Sequence, residues 1–288
     1  MVYAAICSQE SLAAGEPLAA SAPRAVRWLV VEYRGAWPRD PLEGGLPDAV
    51  LERLRSVLDG LGGAKLLYVR RPELRGDAPY RVFLADCTDG RPSLRAFEVR
   101  SYGELLSFDP AAVPGDEARC PLAVVCTHGK RDPCCARYGP PVYEALRRGP
   151  LGDAVWQSSH LGGHRFAANL VLLPEGLMFG RVSPEAAPAI AERYLRGEIV
   201  LEHYRGRCSH PPAVQAAERA LRERDGVLGI GDLELLSAES HGVGTRVRFR
   251  IRPSGAEREL EVEEEDGPAQ PLSCGGAPEP TRRFSVRY

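Results

Sequence analysis

Four cysteines of this 288-residue chain fall within sixteen residues, at positions 120, 126, 134 and 135. The chain has eight cysteines, too few for a disulfide scaffold at this length, and its first ten residues, MVYAAICSQE, lack the features of a secretory signal. In a protein without an export signal, clustered cysteines indicate metal binding or redox chemistry before structural disulfides. This cluster is therefore the part of the sequence that says most about function.

Two pairs of metal-ligating residue types follow one another around the cluster. Cys126 and Cys135 are separated by eight residues, and twenty-four more lead to His160 and the sequence Leu-Gly-Gly-His that ends at His164. Two thiolates and two imidazoles suit zinc or an iron–sulfur centre and are poor ligands for magnesium or calcium. Both pairs are predicted to lie in loops beside strands, where a sheet protein exposes side chains.

The spacing of each pair bears on which metal centre fits. The histidine pair, with three residues between its members, matches the usual spacing of a structural zinc site, whereas the cysteine pair does not. A wide cysteine loop suits a larger inorganic centre. A Rieske centre would need one Cys and one His in each loop, but Tyr138 stands where a histidine should follow Cys135.

The order C-x₈-C…H-x-G-G-H, here Cys126, Cys135, His160 and His164, resembles the sucrase/ferredoxin-like family of thioredoxin-like ferredoxins. The resemblance covers residues 119–210 and includes the sequences GKRD at 129–132 and FAAN at 166–169. It implies a [2Fe–2S] cluster with both cysteines on one iron and both histidines on the other. A cluster ligated in this way is formally neutral when oxidised, so its potential should lie above that of plant-type ferredoxins.

Five neighbouring residues are expected to support the cluster loops: Arg131, Asp132, Gly162, Gly163 and Arg165. Arg131 and Asp132 should hold the cysteine loop through backbone hydrogen bonds and an ion pair. The two glycines should let the backbone bend so that both imidazoles face one side. Arg165 either tunes the cluster, docks a redox partner or is an ordinary surface arginine.

The other cysteines are given simpler interpretations. Cys134 leaves open which member of the adjacent pair is the ligand, but neighbouring side chains in extended backbone point opposite ways, so only one should bind. Cys208 and His210 are taken to resemble a Cys-x-His motif by chance. The remaining thiols are expected to be small apolar or solvent-facing side chains; they are Cys7, Cys87, Cys120 and Cys274.

The predicted elements give an α/β (α+β) fold with a thioredoxin-like ferredoxin domain. In that domain a strand, a helix, a strand, a hairpin and a helix are predicted, at residues 122–126, 140–148, 154–157, 168–179 and 184–196. This order is typical of a thioredoxin-like fold. The N-terminal segment can be read in the same order, with strands at 27–33, 65–69, 80–85 and 94–99. A duplicated scaffold is therefore one interpretation.

Three domains follow from these elements: an N-terminal α/β domain at 1–118, the ferredoxin domain at 119–210, and a C-terminal helix plus β-hairpin extension at 211–288. The first twenty residues are expected to be a weakly structured lead-in, and residues 109–119 a linker. In the extension, arginines at 246, 248, 250 and 252 alternate with apolar residues, and glutamates at 257, 259, 261 and 263 alternate with Arg258, Leu260 and Val262. We expect an antiparallel hairpin in which the two sets pair.

Composition narrows the function. A net charge of −2, with carboxylates matching the arginines, gives no reason to expect nucleic acid as a partner, and no apolar run approaches the ~20 residues of a membrane span. We expect a cytoplasmic electron carrier with a redox donor and acceptor that the sequence does not identify. The main alternative is a structural Cys₂His₂ zinc-binding module. A thiol enzyme using Cys134 and Cys135 is weaker because C-x-x-C is absent, and no carboxylate pair suggests a hydrolase.

Overall fold

The structure is a computed structural model that describes residues 6–74, 76, 78–111, 116–117 and 120–288. Its helices are α1 Cys7–Ala13, α2 Asp48–Gly60, α3 Pro133–Arg147, α4 Ala187–Leu195 and α5 Pro212–Asp225. Its strands are β1 Arg27–Glu32, β2 Lys65–Arg70, β3 Tyr80–Asp86, β4 Ser93–Val99, β5 Asp116–Glu117, β6 Leu122–Cys126, β7 Val155–Ser158, β8 Leu170–Leu173, β9 Leu177–Phe179, β10 Tyr204–Arg207, β11 Leu233–His241, β12 Gly244–Ile251, β13 Ala256–Pro271 and β14 Pro278–Arg287.

Ten strands form one sheet in the order β10-β9-β8-β6-β7-β2-β1-β3-β4-β5. Each half of this sheet repeats one arrangement. The first strand of each half, β1 or β6, pairs in parallel with the second and antiparallel with the third. The halves meet where β2 pairs antiparallel with β7. The α/β class and the repeated thioredoxin-like order are thus confirmed.

The two faces of this sheet are covered differently. Alternate residues of β6 enter different cores, because successive side chains of a strand point to opposite faces. Val124 packs with Trp28 and Trp156 in a core that both halves share. Val125 packs with Val142 of α3, on the face that α3 and α4 cover. The proposed domain boundary between residues 118 and 119 stays a prediction. Buried residues from both sides of this boundary share one core. The proposed linker at residues 109–119 lies partly outside the described residues.

The C-terminal region forms a second, four-stranded antiparallel sheet in the order β11-β12-β13-β14. The predicted hairpin is present as β12 and β13, and Arg246 lies opposite Glu261, with Arg246 Nε 2.8 Å from Glu261 Oε1. The expectation of a helix plus a hairpin alone was wrong, because β11 and β14 flank that hairpin. The sequence pattern did not predict β14, because Pro278 and Pro280 argue against a strand. An edge strand such as β14 nevertheless tolerates proline.

Two further expectations were wrong at helix starts. The N-terminal lead-in contains α1, whose Cys7 is fully buried. Helix α3 begins at Pro133, seven residues before the predicted start, and carries Pro140 and Pro141 in its interior. Its apolar face outweighs the two prolines, since Cys135, Gly139, Val142 and Leu146 are buried at helical spacing.

The start of α4 differs from the predicted start by only three residues. Helix α4 begins at Ala187, and Ser183, expected as its N-cap, accepts a hydrogen bond from the Ala186 N–H in the preceding turn. None of the helices within the described residues is long and apolar enough to cross a membrane.

A buried charge network fixes α5 against β10. Glu218 Oε1 lies 3.0 Å from Arg222 Nη2 and 3.3 Å from Arg207 Nε, and all three side chains are almost fully buried. Burial alone would raise the pKa of Glu218, but the two arginines hold it well below its usual range. The carboxylate therefore stabilises the fold fully above the ~4.3 of a free glutamate and loses its effect only in stronger acid.

Replacing Glu218 by glutamine should lower the free energy of unfolding by about 3–5 kcal/mol, because two buried guanidinium groups lose their counter-charge. The control is Glu223→Gln in the same helix, whose exposed pair with Arg219 should be worth less than about 1 kcal/mol. Urea unfolding at neutral pH measures both. Equal losses in the two variants would contradict this account of the network.

Candidate metal centre

Strand β6 and helix α3 bring the two predicted cysteine ligands together. Cys126 ends β6, and its N–H donates to the Asn169 carbonyl at 3.0 Å. Cys135 lies in the first turn of α3, which returns across the end of β6. A Cβ on Gly139 would lie 2.1 Å from the Cys126 carbonyl oxygen, so only glycine allows this approach. Both cysteines are buried.

The loop between β7 and β8 carries the two histidines, and its shape depends on glycine. Gly162 has φ +101° and Gly163 has φ +73°, values that favour glycine. A Cβ on Gly162 would lie 2.5 Å from Pro23 Cγ, and one on Gly163 would lie 2.4 Å from Arg205 Nη2. Arg205 is buried and donates to the Gly162 carbonyl at 3.0 Å, which locks the loop in place.

Three of the four predicted ligands converge, and the fourth lies beside them. Cys126 Sγ, Cys135 Sγ and a ring nitrogen of His160 all lie within 4.8 Å of one another, and Cys126 Sγ is 3.9 Å from His160 Nδ1. His164 Nδ1 is 3.4 Å from His160 Nε2. The second ring nitrogen of His164 is buried and lies 3.6 Å from Asp132 Oδ2.

The protonation states of these groups suit metal binding. Hydrogen bonds from Cys135 and His160 hold the pKa of the Cys126 thiol well below its ordinary value in spite of its burial. The hydrogen bond to Cys126 raises the pKa of the Cys135 thiol. Burial lowers the pKa of His164, so its ring is neutral and keeps a lone pair. Metal ligands must be deprotonated thiols and neutral imidazoles, so the donor set fits zinc or an iron–sulfur cluster.

The residues expected to support the loops act differently from one another. Asp132 caps α3, accepting from the Cys134 N–H at 2.9 Å and from the Cys274 N–H at 3.0 Å. Among the described residues, no ion pair joins Arg131 to Asp132 as expected; the neutral His164 ring lies beside the carboxylate instead, with Nε2 3.6 Å from Asp132 Oδ2. Arg165 Nε lies 2.8 Å from the buried Glu16 carboxylate, so it holds the segment after α1.

Arg131 instead lines a groove that reaches His160. This groove has a volume of about 480 Å³, and its charged side chains are Arg24, Arg39, Asp40, Lys65 and Arg131. Four of these five are basic, so the groove through which His160 approaches the surface carries positive charge. Sequence spacing could not reveal it, because five separate segments contribute to it.

The cysteines divide into groups that the sequence did not predict. Adjacent residues of a helix point about 100° apart, so Cys135 faces Cys126 while Cys134 faces Cys7 and Cys274. The premise of extended backbone at this pair was wrong, although the two thiols do diverge. Cys7 and Cys274 are therefore not isolated thiols.

Cys87 is not isolated either, since it is buried with Cys208 in the core that both halves of the sheet share. Cys120 is exposed, as expected of a solvent-facing thiol. Partners more than a hundred residues apart leave no local signal in a sequence.

The sucrase/ferredoxin-like family model matches residues 18–206. The chain belongs to the sucrase/ferredoxin-like family. The resemblance seen in the motif is confirmed by this match, which spans both halves of the ten-stranded sheet. It stops short of α5 and the C-terminal sheet.

Curated relatives share only part of their length with this chain. The altered inheritance of mitochondria protein 32 of Meyerozyma guilliermondii is 34% identical over 95 residues, which cover 30% of this chain and 34% of that protein. The protein of the same name from Eremothecium gossypii is 29% identical over 144 residues, which cover 45% of each. The chain thus spans less than half of the length of either relative.

Solved structures give a weaker likeness. The thioredoxin-like [2Fe-2S] ferredoxin from Aquifex aeolicus is 22% identical, covering 33% of this chain and 97% of that chain, with a TM-score of 0.28. A cysteine-to-serine variant of that ferredoxin is 21% identical, covering 29% of this chain and 96% of that chain, with a TM-score of 0.25. The fold assignment therefore rests on the strand order and the family match.

Replacing Gly139 by alanine should disrupt the candidate centre, because the new Cβ must push α3 away from the end of β6. We expect the free energy of unfolding to fall by about 1–3 kcal/mol, together with a loss of bound metal. Gly60→Ala is the control, since a Cβ there meets nothing within 4 Å, and its effect should stay within about 1 kcal/mol. Full metal content and stability in Gly139→Ala would contradict the close packing.

Proposed function

We propose that this chain is an electron-transfer protein whose [2Fe–2S] cluster is held by Cys126, Cys135, His160 and His164. The observation that carries the proposal is the meeting of two buried thiols with the His160 ring, beside which the His164 ring lies. Such a cluster, when bound, takes up and releases a single electron. Electron transfer requires no further catalytic group, so we assign no catalytic residue.

The chain's own residues would set the properties of that centre. Two neutral imidazoles in place of two thiolates leave the oxidised cluster with no net charge, which favours a potential above that of plant-type ferredoxins. Buried side chains such as Leu161 and Phe166 exclude water around the loop. The absence of a Cβ at Gly162 and Gly163 leaves the loop close to the core behind it.

The basic groove suggests how a redox partner approaches. His160 is part of the groove wall and lies 3.9 Å from the buried Cys126 thiol, so its ring joins the thiols to the surface. Its neighbours Arg24, Arg39 and Arg131 would attract a donor or acceptor protein with an acidic face, and such steering weakens as salt rises. We include a cytoplasmic location in the proposal, because all eight cysteines are free thiols and the cytoplasm keeps thiols reduced.

A structural zinc ion in the same place is the second candidate. The separation of 3.9 Å between Cys126 Sγ and His160 Nδ1 favours it, because two ligands of one tetrahedral ion lie at about this distance. Zinc would leave the protein colourless, whereas an iron–sulfur cluster gives it visible absorption bands. The two candidates therefore differ in an observation that needs no variant.

Purified without oxygen, the full chain should be red-brown and contain iron and acid-labile sulfide in equal amounts. Cys126→Ser should lose most of both, because it removes a ligand of one iron. Cys120→Ser is the matched control, because Cys120 is exposed and belongs neither to the group around Cys126 nor to the group around Cys134. This variant should keep its iron and its sulfide. A colourless wild-type protein with one zinc ion, lost in Cys126→Ser, would support the second candidate instead.

A further inference from the structure

A second cluster of thiols lies behind the cluster loop and plays no part in the proposed electron transfer. It joins Cys7 of α1, Cys134 of α3 and Cys274 of the turn between β13 and β14. The three sulfurs form a nearly regular triangle, with Cys7–Cys134 at 3.5 Å, Cys134–Cys274 at 3.4 Å and Cys274–Cys7 at 3.6 Å. Three segments distant in sequence thus direct their thiols to one point.

A carboxylate completes this group. Asp132 Oδ1 lies 3.3 Å from Cys274 Sγ and 4.0 Å from Cys7 Sγ, and one oxygen of Asp132 is within 4.8 Å of all three sulfurs. The carboxylate is held in position by the backbone N–H groups of Cys134 and Cys274. Cys7, Cys134 and Asp132 are buried, while Cys274 is partly exposed and gives a route in from solvent.

The dimensions of the triangle match those of a tetrahedral thiolate site. With edges near 3.5 Å, an ion about 1.1 Å above the plane of the sulfurs would have all three at the usual Zn–S distance of ~2.3 Å. The fourth position of the tetrahedron then falls to an oxygen ligand. Soft thiolates favour zinc over magnesium or calcium.

We propose that Cys7, Cys134, Cys274 and Asp132 form a second metal site that binds one Zn²⁺ ion. On binding, the three thiols release their protons to solvent, so no electron is transferred and no oxidant is required. The ion links positions 127 and 140 residues apart. It therefore clamps α1 and the C-terminal sheet onto the first turn of α3.

The site is separate from the proposed cluster but adjoins it. Cys134 and Cys135 leave α3 in different directions, and Asp132 lies between the two groups with Oδ2 3.6 Å from His164 Nε2. The zinc ion would thus stiffen the helix start that carries Cys135. Loss of the zinc ion should therefore lower the stability of the fold more than it lowers the iron content.

Metal analysis of the full chain, after incubation with Zn²⁺ and removal of free metal, tests the site. We expect one tightly bound zinc ion per wild-type chain at this site. In Cys274→Ser the affinity for zinc should fall by much more than the roughly 10–100-fold loss that follows when a residue that only supports a ligand is changed. Cys120→Ser is the control and should keep its zinc. Co²⁺ in place of Zn²⁺ should give the intense visible bands of a tetrahedral thiolate site, and these bands should disappear in Cys274→Ser.

The adjacent cysteines separate this proposal from the proposed function. Cys134→Ser should lose zinc and keep iron and sulfide, whereas Cys135→Ser should lose iron and sulfide and keep zinc. A zinc content in Cys134→Ser and Cys274→Ser equal to that of the wild-type protein would overturn the site whatever the iron content shows. So would a wild-type protein that binds no zinc, or one with a disulfide between Cys134 and Cys274 after purification without oxygen.

Discussion

The start of α3 is the point on which both cysteine groups depend. The Asp132 carboxylate caps this helix by accepting the Cys134 N–H, and it accepts the Cys274 N–H as well. A helix that begins here presents consecutive cysteines about 100° apart, one toward β6 and the other toward α1. If the helix began at Pro140, as sequence pattern suggested, neither group would have this geometry.

The sheet and the glycines supply the rest of the geometry. β6 lies between β7 and β8, so its last residue reaches the same edge as the loop that carries the histidines. Gly139 lets α3 touch that edge, and Gly163 lets the histidine loop rest on the buried Arg205 guanidinium. At Gly139 two backbones come into contact, and at Gly163 a backbone contacts a buried guanidinium group. Both contacts are possible because glycine has no side chain. The candidate centre is therefore a property of packing as much as of its ligands.

Sequence pattern predicted the parts of the site that depend on local spacing. The two candidate ligand pairs, the glycine turn between β7 and β8, the apolar strands and the paired Arg–Glu hairpin all follow from neighbours along the chain. Asp132 before Pro133 is a local helix-start signal, but Pro140 gave a competing one that tertiary packing overrode. The group of Cys7, Cys134 and Cys274 could not be predicted, because its members meet only after both sheets have formed.

The central claim is that histidine nitrogens ligate the centre together with Cys126 and Cys135. Pulsed electron paramagnetic resonance on the reduced, full-length protein tests it most directly, because nitrogen bound to a paramagnetic iron couples to the unpaired electron. The account predicts couplings from two imidazole nitrogens, one of which is lost in His160→Cys. A reduced cluster signal without nitrogen coupling from directly bound imidazole would contradict it.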